Sequence, residues 1–156
     1  GQLIPEKGVQ TLIESIKEIM PYIKLHANII GNGDHYKELR DLVKNYNLHE
    51  SIHFEGFCCD VKPFFDTASL LVCPSLWNEA FGLVIIEAMA SHVPVIASNC
   101  GGIPEIITHE ETGLLVPPGD VAALSQSIYM IFNDSILRKN IVNNAYENVN
   151  NKFNIN

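Results

Sequence analysis

Three short runs of the chain are apolar without alternation: Leu70-Leu-Val-Cys73, Val93-Pro-Val-Ile-Ala97 and Gly113-Leu-Leu-Val116. A strand with one face in water alternates polar and apolar side chains, whereas a strand covered on both faces has no polar side to show. These runs fall far short of the roughly 20 apolar residues of a membrane span, so they read as strands buried on both sides. Leu25 to Ile30 and Ser51 to Glu55 add two more strands. Between the strands, apolar residues recur at helical spacing. Gly8 to Tyr22 carries Val9, Leu12, Ile13, Ile16 and Ile19, and Asp34 to Asn47 carries Tyr36, Leu39, Leu42, Val43 and Tyr46. Asp60 is placed to cap a helix bearing Val61, Phe64 and Phe65, and Asp120 one bearing Val121, Leu124, Ile128 and Ile131. A helix apolar nearly all round is expected from Phe81 to Ser91, and a last one from Ser135 to Val149. This alternation predicts an α/β domain: a parallel sheet covered by helices on both faces.

The bulk composition narrows the function classes. At 156 residues the chain is one domain with room for a core, and its net charge of −8 speaks against a protein that coats nucleic-acid phosphates. Cys58, Cys59, Cys73 and Cys100 show no Cys-x-x-Cys spacing, and the six histidines form no metal-binding pair on one helix face. Reduced thiols, no metal and a cytoplasmic location are the expectation, with no leader peptide at the start of the sequence.

Ligands of parallel sheets bind where the strands end at their carboxyl side. The loops there are Ile4–Lys7, Gly31–Gly33, Gly56–Asp60, Pro74–Phe81 and Ser98–Pro104. One of them leads into the most informative segment. Glu79 stands just before a helix and Glu87 eight positions later inside it, among apolar residues. A buried carboxylate without partners costs several kcal/mol, roughly, so Glu87 is expected to face a polar ligand or a cavity. A helical Cβ leans toward the N-terminus, so Glu87 reaches back toward the helix mouth. Between the two acids, Phe81-Gly82-Leu83 opens the helix with free N–H groups suited to an anion. An anion at a helix mouth, flanked by two carboxylates that accept hydroxyls, fits a sugar joined through phosphates to a nucleoside. Lys7, after the first extended segment, is placed to neutralise a diphosphate, although a lone lysine there also reads as surface. Gly31-Asn32-Gly33 reads equally as a tight turn, and Gly101-Gly102-Ile103-Pro104-Glu105 as a wall of the site ending in a helix start. Phe57, Trp77 and Phe81 could stack on a base or sugar, or pack.

The run Pro74–Glu105, with Gly1-Gln-Leu-Ile-Pro-Glu-Lys-Gly8 and Thr112-Gly113-Leu-Leu-Val-Pro-Pro-Gly119, resembles the donor-binding half of retaining GT-B glycosyltransferases of the group 1 family. The similarity covers almost the whole chain, and its Glu-x7-Glu pattern is specific. It implies a Rossmann-like sheet forming one half of a GT-B fold. It also implies that Glu87 holds the nucleotide ribose and Glu79 the transferred hexose. The backbone of Ala80, Phe81, Gly82, Leu83 and Val84 would hold the diphosphate and the sugar edge. Lys7 would neutralise the diphosphate, and Gly56 and Phe57 would lie beside the base. The donor would be a UDP-, GDP- or ADP-sugar, used without a cofactor or divalent metal, with retention of anomeric configuration. The acceptor would be a glycan or a lipid-linked chain, as in polysaccharide biosynthesis.

Three departures from the family pattern bear on activity. Gln2 stands where the family usually has an arginine, and an amide supplies no charge. His92 stands where the helix after Glu87 usually ends in glycine, a backbone position that histidine tolerates. By the resemblance, the acceptor-binding half, which usually carries the family's route to a membrane, and a strand before Gly1 are expected to be lacking from this sequence. The chain, residues 1–156, is therefore expected to be a single donor-binding domain that binds nucleotide sugar with little or no transfer. The competing readings are a nucleotide-sugar sensor that has lost activity and a GT-B-shaped sugar-nucleotide epimerase half. A dinucleotide oxidoreductase fits least, because no Gly-x-Gly-x-x-Gly opens a helix.

Overall fold

In the computed structural model, which describes residues 1–77 and 82–153, five parallel strands alternate with seven helices. In chain order these are α1 (Val9–Ile19), β1 (Ala27–Ile30), α2 (Tyr36–Asn45), β2 (Ile52–Gly56), α3 (Lys62–Phe65) and β3 (Leu71–Cys73). Then come α4 (Leu83–Ala90), β4 (Val95–Ser98), α5 (Ile103–Ile106), β5 (Leu114–Val116), α6 (Val121–Asn133) and α7 (Ser135–Phe153). Each expected element is present. The tight 3-10 turn Pro5–Lys7 carries no periodicity and was not expected.

Asp120 caps α6 as expected, whereas the N-cap of α3 is Val61, one residue after Asp60. The Asp120 side chain accepts the Ala123 amide at 2.9 Å, and that of Asp60 accepts the Lys62 amide at 3.0 Å. His92 ends the α4 segment at φ 58, in the left-handed region, stacked on the Tyr146 ring 4.1 Å away.

The strands form two hydrogen-bonded groups rather than one continuous sheet. β1 pairs with β2, and β3, β4 and β5 pair in that order, all parallel. Residues 1–3 run beside the end of β1, where the Gly1 amine donates to Ile30 and the Leu3 amide to Asn32. An isolated bridge, Gln2 to Asn32, forms there.

Strand β4 explains the continuous apolar runs. Val95 and Ala97 pack with Ile85, Met89, Ile103 and Val149, while Ile96 between them packs on the other face with Leu124, Ile128 and Ile131. All four of its residues are buried. A third cluster joins Ile13 and Ile16 of α1 to Ile29, Leu39, Val43 and Ile52. Helix α1 serves both groups of strands, because Ile19, one turn on, belongs to the β4–β5 core. It is bonded to α6 as well: Ser15 Oγ donates to Val121 O at 3.1 Å, and Ser125 Oγ to Glu18 Oε2 at 3.0 Å.

Candidate functional site

The first eight residues carry the chain from the end of β1 to the end of β3, and this crossing builds the site. The Leu76 amide, in the loop after β3, donates to Glu6 O at 2.8 Å. Gly8 lies against the same loop at φ 67, so close that an added Cβ would stand 1.8 Å from Pro74 O. Glycine is needed there twice over, for the left-handed backbone and for the contact. Lys7, half-buried, sits between Glu6 and Gly8 at the end of the 3-10 turn and directly before α1. Its turn is thus joined to Pro74–Trp77, the segment that leads to Glu79. Glu79, Ala80 and Phe81 themselves lie outside the described residues.

Helix α4 begins one residue after Gly82. The amides of Leu83 and Val84 stand in its first turn, where an α-helix leaves N–H groups without an intrahelical acceptor. Gly82 is buried, and a Cβ on it would meet Ile85 Cδ1 at 2.8 Å. Its small size therefore relieves packing within α4, in addition to any service to a ligand. Val84 leans into the core beside Ile85.

Two expectations about α4 require correction. The helix is not buried all round: Leu83 is 62% exposed, and Glu87, one turn further on, is exposed as well. Ile85, Ile86, Ala88 and Met89 supply the buried faces. The inference that Glu87 must meet a ligand because it is buried therefore fails. Its side chain reaches solvent. The amino-acid pattern misled because no described element covers this face of an otherwise apolar helix.

The other strand ends contribute backbone turns. Gly31, at φ 144, donates its amide to Gly56 O at 2.8 Å, joining the loops after β1 and β2. Gly56 takes φ 73 with open space where a Cβ would be, and Phe57 beside it is 77% exposed. Gln2 is exposed. Gly101 takes φ 55, Gly102 precedes α5, and Pro104 occupies the first turn of that helix. Sequence reasoning missed three groups that join these loops: Glu6 O, the Leu76 amide, and the Cys100 thiol, which donates to Trp77 O at 3.4 Å. Two are backbone groups without a side-chain signature, and only the glycine after Lys7 hinted at the close approach.

No group of three potential metal ligands exists among the described residues. A groove of about 880 Å³ runs between α2 and β2, past Tyr36, Arg40, Lys44 and Phe54. Neither Lys7 nor any residue of α4 lines it, so it is separate from the joined strand-end loops.

Against known proteins, the family profile described as "Glycosyl transferases group 1" matches residues 1–148. The chain belongs to this family. Among curated relatives, the N-acetyl-alpha-D-glucosaminyl L-malate synthase of Bacillus anthracis is 31% identical over 147 residues, which is 94% of this chain and 38% of that protein. The crystal structure of Anabaena HepE in complex with UDP superposes with a TM-score of 0.92 at 29% identity, over 98% of this chain and 43% of that one. The C-terminal domain of LpcC, a group 1 protein of Francisella tularensis, gives 0.90 at 35% identity, over 100% of this chain and 84% of that one. The chain spans between 16% and 41% of the length of such curated relatives. These likenesses bear out the α/β, Rossmann-like architecture and the resemblance to the C-terminal half of GT-B enzymes.

Proposed function

We propose that this chain is the nucleotide-sugar-binding half of a retaining glycosyltransferase that passes a hexosyl group to a glycan or lipid-linked acceptor. The observation that carries the reading is the junction of the Lys7 turn with the loop leading to Glu79, through the 2.8 Å bond from Leu76 to Glu6. That junction brings the backbone of the Lys7 turn against the loop that leads toward α4, which supports a role for the Lys7 charge there. Breaking a sugar–phosphate bond leaves negative charge on the departing diphosphate and an oxocarbenium-like sugar. Lys7 and the amides of residues 80–84 would stabilise the first by fixed charge and dipoles, which act most strongly where charge develops. Glu87, solvated on the open side of α4, would accept the ribose hydroxyls, and Glu79 those of the hexose. Gly56 and the exposed Phe57 would border the base. Neutralisation would come from Lys7 and the helix mouth without a metal.

UDP is the first nucleotide to try, because HepE was crystallised with it. A thermal-shift panel of UDP, GDP, ADP and their sugars on this chain tests the reading. One nucleotide family is expected to raise the melting temperature, and a flat panel overturns the proposal. Glu79→Ala is expected to leave nucleoside diphosphate binding intact while weakening the sugar nucleotide about tenfold, as titration calorimetry of both ligands would read. Equal losses for the two ligands would remove Glu79 from the sugar subsite.

A binding module without turnover is the second reading. Gln2 favours it, since its exposed amide brings no second cation beside Lys7. Transfer of a labelled hexose by the full-length protein would eliminate this reading.

A further inference from the structure

Strand β2 is the outer member of the β1–β2 pair, and no described strand pairs with its other edge. In a parallel ladder successive residues turn their backbone groups to alternate sides. Ser51 O accepts the Ala27 amide at 2.8 Å, so Ile52 and Phe54 direct their N–H and C=O groups away from β1. The Ile52 amide is taken by Leu48 O at 2.9 Å, in the turn that follows α2. That leaves the Phe54 amide and two carbonyls on the outer edge.

The groove of about 880 Å³ runs along this edge. Tyr36 and Phe54 supply its apolar surface, their rings edge to face with centroids 5.2 Å apart. Lys37, Arg40 and Lys44 fringe it from one stripe of α2. The Arg40 guanidinium lies over the Tyr36 ring, 5.8 Å from its centroid. Among the described residues none of these three cations is held in an ion pair, and Asp41 is the one acid in the lining. The groove is therefore positive on a chain whose net charge is −8.

We propose that this groove docks an extended acidic peptide of a partner protein, which adds a strand to the outer edge of β2 and sets its carboxylates against Lys37, Arg40 and Lys44. Strand addition takes affinity from backbone bonds and specificity from alternate side chains. The basic stripe runs about 10 Å along the helix. Alternate side chains of an extended strand stand about 7 Å apart, so two carboxylates face it at once. A second copy of the chain would bring an edge of like charge, which such fringes repel. A lipid surface would meet the charges but leave the edge backbone groups without strand partners.

The probe is a fluorescein-labelled peptide in which glutamates alternate with valines, followed by anisotropy and by amide exchange of the chain. Binding is expected to slow exchange of the Phe54 amide about tenfold. Glutamine in place of the glutamates, or N-methylation throughout the peptide, is expected to weaken binding about tenfold in each case. Arg40→Gln combined with Lys44→Gln, both at exposed positions, should weaken the acidic peptide about tenfold at an unchanged melting temperature. Lys62→Gln combined with Lys139→Gln removes equal charge elsewhere on the surface and should change affinity less than about twofold. A flat titration overturns the proposal, as do equal losses in the two double variants. Undiminished binding of the N-methylated peptide removes the added strand. Adsorption to phosphatidylglycerol vesicles without peptide binding makes the patch a membrane contact instead. The groove shares no residue with the proposed donor site, so either reading can fail while the other stands.

Discussion

Gly8→Ala is expected to lower the unfolding free energy by about 2–4 kcal/mol, at the upper end of single-residue effects. Two penalties combine. A non-glycine residue at φ 67 loses roughly 1–2 kcal/mol to the left-handed backbone. The new Cβ would also stand 1.8 Å from Pro74 O and 2.8 Å from Pro74 C, which are backbone atoms unable to turn aside as a side chain does. Gly56→Ala separates the two terms, because Gly56 has φ 73 but nothing within 4 Å of the added methyl. It is expected to cost only the backbone share, about 1–2 kcal/mol. Urea unfolding of both variants measures the difference through the transition midpoints, with slopes unchanged. Equal losses would mean that the loop after β3 yields freely and that its union with the Lys7 turn is not rigid. A rigid union predicts that Gly8→Ala also weakens diphosphate binding, since the turn and the helix mouth would part.

Glu87→Ala is expected to weaken nucleotide binding by about 1–3 kcal/mol, the range for hydrogen bonds to a charged group. Exposure makes this test clean. A solvated carboxylate on the open side of α4 supports no core contact, so the melting temperature of the free chain should hardly change. Titration with UDP reads the loss directly, and unaltered affinity would exclude Glu87 from the ribose subsite.

The fold was readable because its constraints are local. Short apolar runs such as Val93–Ala97, bounded by turn residues, read as strands covered twice, and Asp120 marks a helix start by hydrogen-bond geometry. Even His92 could be assigned its left-handed backbone in advance. The site was readable only in part. Helix-mouth amides and acids follow from spacing, but exposure does not: Glu87 sits in an apolar sequence and yet faces water, because burial depends on what packs above the helix. The contacts between loops were hidden for the same reason. Glu6 O, the Leu76 amide and the Cys100 thiol come from three separate segments, and nothing in their sequence neighbourhoods announces their meeting. The division of the strands into two groups likewise depends on long-range pairing.

Helix α1 sends Ile13 and Ile16 into one core and Ile19 into the other, while Ser15 and Glu18 bind it to α6. It works as an axle through both halves of the domain. Sharing this helix links the stability of the two halves, so heat is expected to melt them in one calorimetric step, and a nucleotide bound at one rim would lend its stability to the far end.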